Sequence, residues 1–158
     1  MSRSAVDIRV VPVRAWHVRS IARRMRQADR DEVFAASGRS PAGALVFSLR
    51  KSSHAWTAMI DGVPEVMFGV GDLNILAGVA APWLLGTDAV ETHYVAFLRR
   101  SVGFRDQLLQ RYSVLTNFVD ARNRASIRWL RWLGFTFSDP VEFRGQEFRQ
   151  FELRSPNV

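Results

Sequence analysis

Apolar and polar residues alternate over Val6-Asp7-Ile8-Arg9-Val10, and Pro12 ends the run, which predicts a first strand. The period then changes. Trp16, Ile21, Met25 and Ala28 recur at near-helical spacing, predicting a helix over about 14–27. Asp29-Arg30-Asp31-Glu32 puts acids at the positive end of a second, short helix, which Gly38 stops. Ser40-Pro41 is a cap followed by a first-turn proline, so a third helix is expected from Ala42 to Lys51. Asp61-Gly62, between the apolar runs Ala55–Ile60 and Val63–Val70, predicts a β-hairpin.

Ala77–Leu85 is apolar without alternation and reads as a central strand. Gly86-Thr87-Asp88 forms a turn and cap for a long helix over Val90–Arg111, whose Tyr94, Phe97, Leu98, Leu108 and Leu109 face a core. Gly103 is the weak point of that helix. A strand over Val114–Asp120 and a short helix from Asn123 to Gly134 come next. The chain then ends in strands near Phe135–Ser138, Val141–Phe143 and Phe148–Leu153.

With 158 residues, 47% of them apolar and 23% charged, the chain has the composition of a soluble globular protein, expected as a single domain over 1–158. The longest apolar stretch, near Leu73–Leu85, is broken by Gly78 and Pro82, so no membrane span is expected. Met1-Ser2-Arg3-Ser4-Ala5 lacks the apolar block of a secretory leader. The absence of cysteine excludes disulfides, thiolate zinc sites and a cysteine nucleophile. His17, His54 and His93 are too widely spaced for a metal-ligand pattern, so no metal is expected.

Charge adds one candidate. The formal net charge is +7, and Lys51 is the only lysine among 22 basic residues. Arginine suits phosphates and carboxylates through bidentate contacts. Arg14, Arg19, Arg23, Arg24, Arg26 and Arg30 form the densest cluster, largely on the solvent face of the first helix. Nucleic acid is the lesser expectation for it, because no aromatic or glycine-rich binding motif accompanies it.

The segment Asn123–Phe135 resembles the strand–helix–strand ending of the Gcn5-related N-acetyltransferase (GNAT) fold, with its N-x-x-A-x-x-x-Y-x-x-x-G-F signature. The order of elements along the chain is also that of a GNAT domain. The resemblance implies an α/β (α+β) fold: a central mixed, mostly antiparallel sheet of about six to seven strands, flanked by four to five helices. It also implies acyl-CoA held at the opening of the central helix, on a Q/R-x-x-G-x-G/A loop whose N–H groups meet the pyrophosphate.

This chain departs from that pattern. Leu84–Glu91 contains one glycine, Gly86, and two acids, Asp88 and Glu91. Leu130 stands where the family carries its tyrosine acid. Arg100-Ser101-Val102-Gly103-Phe104-Arg105 matches R-x-x-G but reads as helix interior. Glu65 and Asp72 are expected to be surface carboxylates, Tyr94 and Tyr112 partly buried helix residues, and Trp129 and Trp132 packing residues of the last helix. No catalytic residue is expected. If acyl-CoA binds, the residues to hold it are Thr87, Asp88, Arg99, Arg100, Arg122 and Asn123.

Three segments together, Ala81–Asp88, Asn117–Asn123 and Trp129–Phe135, resemble the T7-type internal virion protein A family of tailed bacteriophages. That likeness implies a virion-associated or assembly protein that keeps a GNAT-like fold for protein–protein docking and needs no cofactor. Its partners would be other phage virion proteins, or copies of itself in an oligomer or ring. It would be found in the virion, or in the host cytoplasm during assembly. The alternative is an active acetyl-CoA-dependent N-acetyltransferase.

Overall fold

The computed structural model describes residues 5–157, so the leader reading at Met1–Ser4 lies outside it. Strand β1 (Ile8–Pro12) precedes helices α1 (Ala15–Arg24), α2 (Gln27–Ser37) and α3 (Pro41–Lys51). Strands β2 (His54–Ile60), β3 (Val63–Asn74) and β4 (Val79–Gly86) follow. Then come α4 (Ala89–Thr92), α5 (Tyr94–Arg111), β5 (Val114–Asp120) and α6 (Arg124–Trp132). The described chain ends in β6 (Thr136–Phe137), β7 (Val141–Phe143) and β8 (Gln146–Arg154).

The strands form one sheet in the order β1-β2-β3-β4-β5-β8-β6, with β7 also on β8. Every pairing is antiparallel except β4–β5. The mixed α+β class is as expected. The described residues hold eight strands and six helices, one of each more than the upper end of the range the resemblance implied. Strands β6 and β7 form where the sequence placed them, with two and three residues, and the extra helix is α4, a single turn split from the long helix.

Local chemistry explains most boundaries. Asp61 and Gly62 both take positive φ (48° and 82°), as a two-residue hairpin turn requires. The Ser40 hydroxyl accepts from Gly43 N–H and opens α3 beside Pro41. Asn123 caps α6 by accepting from Ser126 N–H.

One expectation is corrected. The helix over Val90–Arg111 is interrupted at His93, not at Gly103, where a Cβ would meet nothing within 4 Å. Val90 before the interruption and Phe97 after it fill the same core, and further along α5 Leu108, with Tyr112 just past its end, reaches another.

Pleating distributes side chains to both faces of the sheet. Met67 and Leu85 pack with Ile21 of α1, Met25 just past its end and Leu45 of α3. On the opposite face, Val66 packs with Ile8, Ile60, Val90 and Phe97. A third cluster joins Leu108 and Tyr112 to Leu115, Val119, Leu133, Phe135 and Phe151. No helix among the described residues is long and apolar enough to cross a membrane.

Gly69 shows how closely β2, β3 and β4 fit. A Cβ there would lie 2.5 Å from the His54 carbonyl oxygen and 2.9 Å from Trp83 Nε1. That indole donates to the Ser52 hydroxyl at 2.7 Å. Gly69→Ala is expected to destabilise the protein by about 1–3 kcal/mol, as other overpacked sites do, measured by urea unfolding.

Candidate functional site

The centre of the sheet is split. Strands β4 and β5 pair in parallel only at Val79↔Val114 and Ala80↔Leu115, and then diverge. Beyond that point the Asn117 amide bridges the gap by donating to the Pro82 carbonyl at 2.9 Å. Pro82 and Gly86 both turn backbone groups into the gap, so the alternation of the strand turns Leu84 the same way. The split opens into a cavity of about 1070 Å³. Glu32, Val33 and Phe47 line it from α2 and α3, and Phe97, Phe104 and Leu130 from α5 and α6. In open sheets, ligand crevices form outside the carboxyl ends of parallel strands where the strand order switches.

At those carboxyl ends the chain supplies its own polar contacts. Arg26 N–H donates to the Gly86 carbonyl at 2.9 Å, and Gly86 N–H donates to Asp29 Oδ2 at 2.9 Å. The Arg26 guanidinium pairs with Asp29 at 2.8 Å, and both side chains are almost fully buried. It also donates to Ser126 Oγ at 2.6 Å and Asn123 Oδ1 at 3.3 Å, and reaches Glu91 at 3.4 Å. The Asn123 amide in turn donates to Glu32 at 2.9 Å. Residues 26, 29 and 32 recur every three positions along one face at the start of α2. That face ties the end of β4 to the turn after β5.

The electrostatics follow from burial. Burial pushes the Glu32 carboxyl up to about 7, aided by the Asp29 charge and opposed by the Asn123 hydrogen bond. Burial also raises Asp29, and Arg26, Gly86 N–H and Asn123 pull it part of the way back. For Arg26, burial acts against the charge, but Asp29 outweighs it and the guanidinium stays protonated. Two buried donors, Arg26 Nε and Trp129 Nε1, have no protein acceptor among the described residues, and both residues border a small cavity of about 10 Å³.

The turn between β4 and α4 is similarly self-contained. Thr87 N–H donates to the Glu65 carbonyl at 2.9 Å, and the Thr87 hydroxyl donates to the Glu65 carboxylate. Ala89 N–H donates back to Thr87 Oγ1 at 3.3 Å. A Cβ on Gly86 would lie 2.8 Å from Val90 Cγ2 and 3.2 Å from the Glu65 carbonyl oxygen. The glycine therefore admits the close approach of the helix and of the Glu65 carbonyl. Glu65 corrects the sequence reading: it is half-buried and bound to Arg24 at 2.8 Å, not a free surface acid. Asp72 is exposed as expected.

The six sequence-derived positions do not form one cluster. Thr87 and Asn123 are buried at the carboxyl ends of β4 and β5. Asp88 is exposed beside Thr87. Arg99 is exposed on α5, and Arg100 donates to the Ile8 carbonyl of the outer strand at 3.3 Å. Arg122 is held by the Asp120 carboxylate at 2.7 Å. Tyr112 is buried, whereas Trp132, expected to pack, is 54% exposed.

Three members of the arginine cluster turn inward: Arg24 to Glu65, Arg26 to Asp29, and Arg30 to the Met25, Ala22 and Arg23 carbonyls that end α1. The residues missed from sequence are Arg26, Asp29 and Glu32. Their three-residue spacing was a signal, but it reads equally well as a solvated face. Among the described residues no cluster of three or more His, Asp or Glu side chains is placed to hold a metal ion.

Comparison with solved structures gives the class of this architecture. The GNAT domain of S. lividans PAT superposes with a TM-score of 0.68 at 16% identity, covering 94% of this chain and 90% of that one. Spermidine N-acetyltransferase from Vibrio cholerae, solved with CoA and spermine, gives 0.64 at 12% identity, covering 97% of each chain. RimL, the ribosomal L7/L12 α-N-protein acetyltransferase solved with CoA, gives 0.65 at 9% identity, covering 93% of each. The chain has the GNAT acetyltransferase fold. In sequence, the family described as "Bacteriophage T7, probable scaffold protein Gp13" matches residues 77–143, the stretch from the start of β4 to the end of β7. No curated protein matches the chain.

Two outcomes follow from the network. Arg26→Met removes the counter-charge of buried Asp29 and should cost about 3–5 kcal/mol in urea unfolding. Glu32 binds its proton more tightly when folded, so its contribution to stability is complete below about pH 4.5 and declines toward about 7 as pH rises. In Glu32→Gln that decline should disappear, seen as a flatter plot of unfolding free energy against pH; an unchanged slope would place the titration elsewhere.

Proposed function

We propose that this chain is a phage assembly protein that uses the acetyltransferase fold as a docking body and does not transfer acyl groups. The observation that carries this reading is the turn between β4 and α4, where this fold would receive the phosphates of a CoA carrier. There the Gly86 and Thr87 N–H groups are engaged by Asp29 and Glu65. Glu91 is held by Arg26 at the same place, and exposed Asp88 adds a second negative charge. Leu130 on the cavity wall cannot protonate a leaving thiolate. The match over residues 77–143 to a family described as a probable phage scaffold protein supports a role in virion assembly.

Docking partners would be other virion proteins or further copies of this chain, within the particle or in the host cytoplasm during assembly. The exposed aromatic residues Phe118, Trp132 and Phe143 are the side chains suited to anchor such contacts.

A second reading, an acetyl-CoA-dependent N-acetyltransferase, rests on the split itself. The cavity of about 1070 Å³ is large enough for a ligand. Glu32, with its carboxyl near 7, is placed to accept an amine proton. Thr87, Asp88, Arg99, Arg100, Arg122 and Asn123 would then share the carrier.

Titration calorimetry separates the two readings. The docking reading expects no heat of binding with acetyl-CoA up to millimolar ligand. Micromolar affinity, or amine acetylation abolished by Glu32→Gln, would overturn it in favour of the enzyme.

A further inference from the structure

The hairpin joining β3 to β4 is the most exposed apolar feature of the molecule. Leu73, Ile75 and Leu76 are 61%, 80% and 101% exposed, and all three lie within four consecutive positions. β2 stops pairing at His54↔Val70, so the β3–β4 ladder projects beyond it through Gly71, Asp72 and Asn74. The tip is ordered by its own bonds. Ala77 N–H donates to the Asn74 side chain at 3.0 Å, and Gly78 N–H to the Ile75 carbonyl at 3.2 Å. Ser113 N–H holds the Gly78 carbonyl at 2.8 Å. Three large side chains thus stand in solvent on a fixed turn.

The surroundings of this turn are basic. Helix α3 ends there in exposed Arg50 and Lys51, and the Lys51 carbonyl oxygen lies 2.7 Å from where a Gly71 Cβ would sit. Helix α5 ends in exposed Arg111, two residues before Ser113. None of these three cations is in an ion pair among the described residues. Arg154 is bound to Glu152, and Asp72 is the one acid in the tip, residues 71–78.

We propose that this end of the molecule inserts Leu73, Ile75 and Leu76 into the surface of an anionic lipid bilayer, with Arg50, Lys51 and Arg111 at headgroup level. Apolar side chains at the tip, with cations at the two helix ends behind it, match the layered chemistry of such a surface. A second copy of the chain is a poorer occupant, because each copy carries +7. Nucleic acid is poorer too, because Leu and Ile offer neither a stacking plane nor a hydrogen bond. The inference is independent of the proposed assembly role.

The test is sedimentation of the full chain with vesicles of phosphatidylcholine alone, or with about one third phosphatidylglycerol added. Binding is expected to the anionic vesicles only. Ile75→Ser/Leu76→Ser should weaken it by about tenfold or more, with far-UV circular dichroism and unfolding midpoint unchanged. Lys51→Glu should weaken it by roughly tenfold through charge. Failure to bind anionic vesicles would overturn the proposal. So would equal binding of vesicles and double-stranded DNA that Ile75→Ser/Leu76→Ser leaves intact, since the cations alone would then account for it.

Discussion

The buried ion pair of Arg26 and Asp29, with the Asp29 carboxylate on Gly86 N–H and the Arg26 main-chain N–H on the Gly86 carbonyl, is the contact on which the middle of this molecule depends. Two parallel strands that separate after two residue pairs leave main-chain groups facing a gap, and such groups are costly to bury without partners. In this chain α2 provides the partners. An ionised pair in a dry site gives little net stabilisation compared with apolar packing, because its desolvation offsets its attraction. Its effect lies in geometry: once Asp29 is bound to Gly86 and Arg26 to Asn123 and Ser126, the separation of the strands is set at both ends.

That arrangement bears on the proposed separation of fold from chemistry. The same frame is found in proteins solved with CoA, and here the Gly86 and Thr87 N–H groups after β4 are taken by Asp29 and Glu65. Gly86 illustrates the change. A glycine at this point of the fold invites comparison with a phosphate-binding loop, yet its missing side chain makes room for Val90 and the Glu65 carbonyl.

What could be read from sequence was what neighbours in the chain decide. The Asp61-Gly62 turn, the Ser40 cap and the Asn123 cap depend on bonds spanning a few residues, and each formed where expected. The central network was not legible for the opposite reason. Arg26-Gln27-Ala28-Asp29-Arg30-Asp31-Glu32 looks like a charged, solvated helix face, and its partners lie 57 to 97 positions away in Gly86 and Asn123. Glu65 was misjudged in the same way, since Arg24 and Thr87 approach it only in the folded sheet. The interruption at His93 had no local marker such as Gly or Pro, and Val90 and Phe97 on its two sides pack into one core with residues from β1, β2 and β3 that lie far away in sequence.

The short β4–β5 junction also bears on how the chain reaches its native state. Strands β1 to β4 lie between residues 8 and 86, and β5 to β8 between 114 and 154, so each half of the sheet is assembled from a continuous stretch of chain. Within each half most strand pairs close modest loops, which favours early formation. The two halves meet through two residue pairs, a few side chains and the helices that span them. The molecule is in this sense two hairpin-built leaves bound at one spine, and joining them is the step that has to bring the most distant parts of the sequence together.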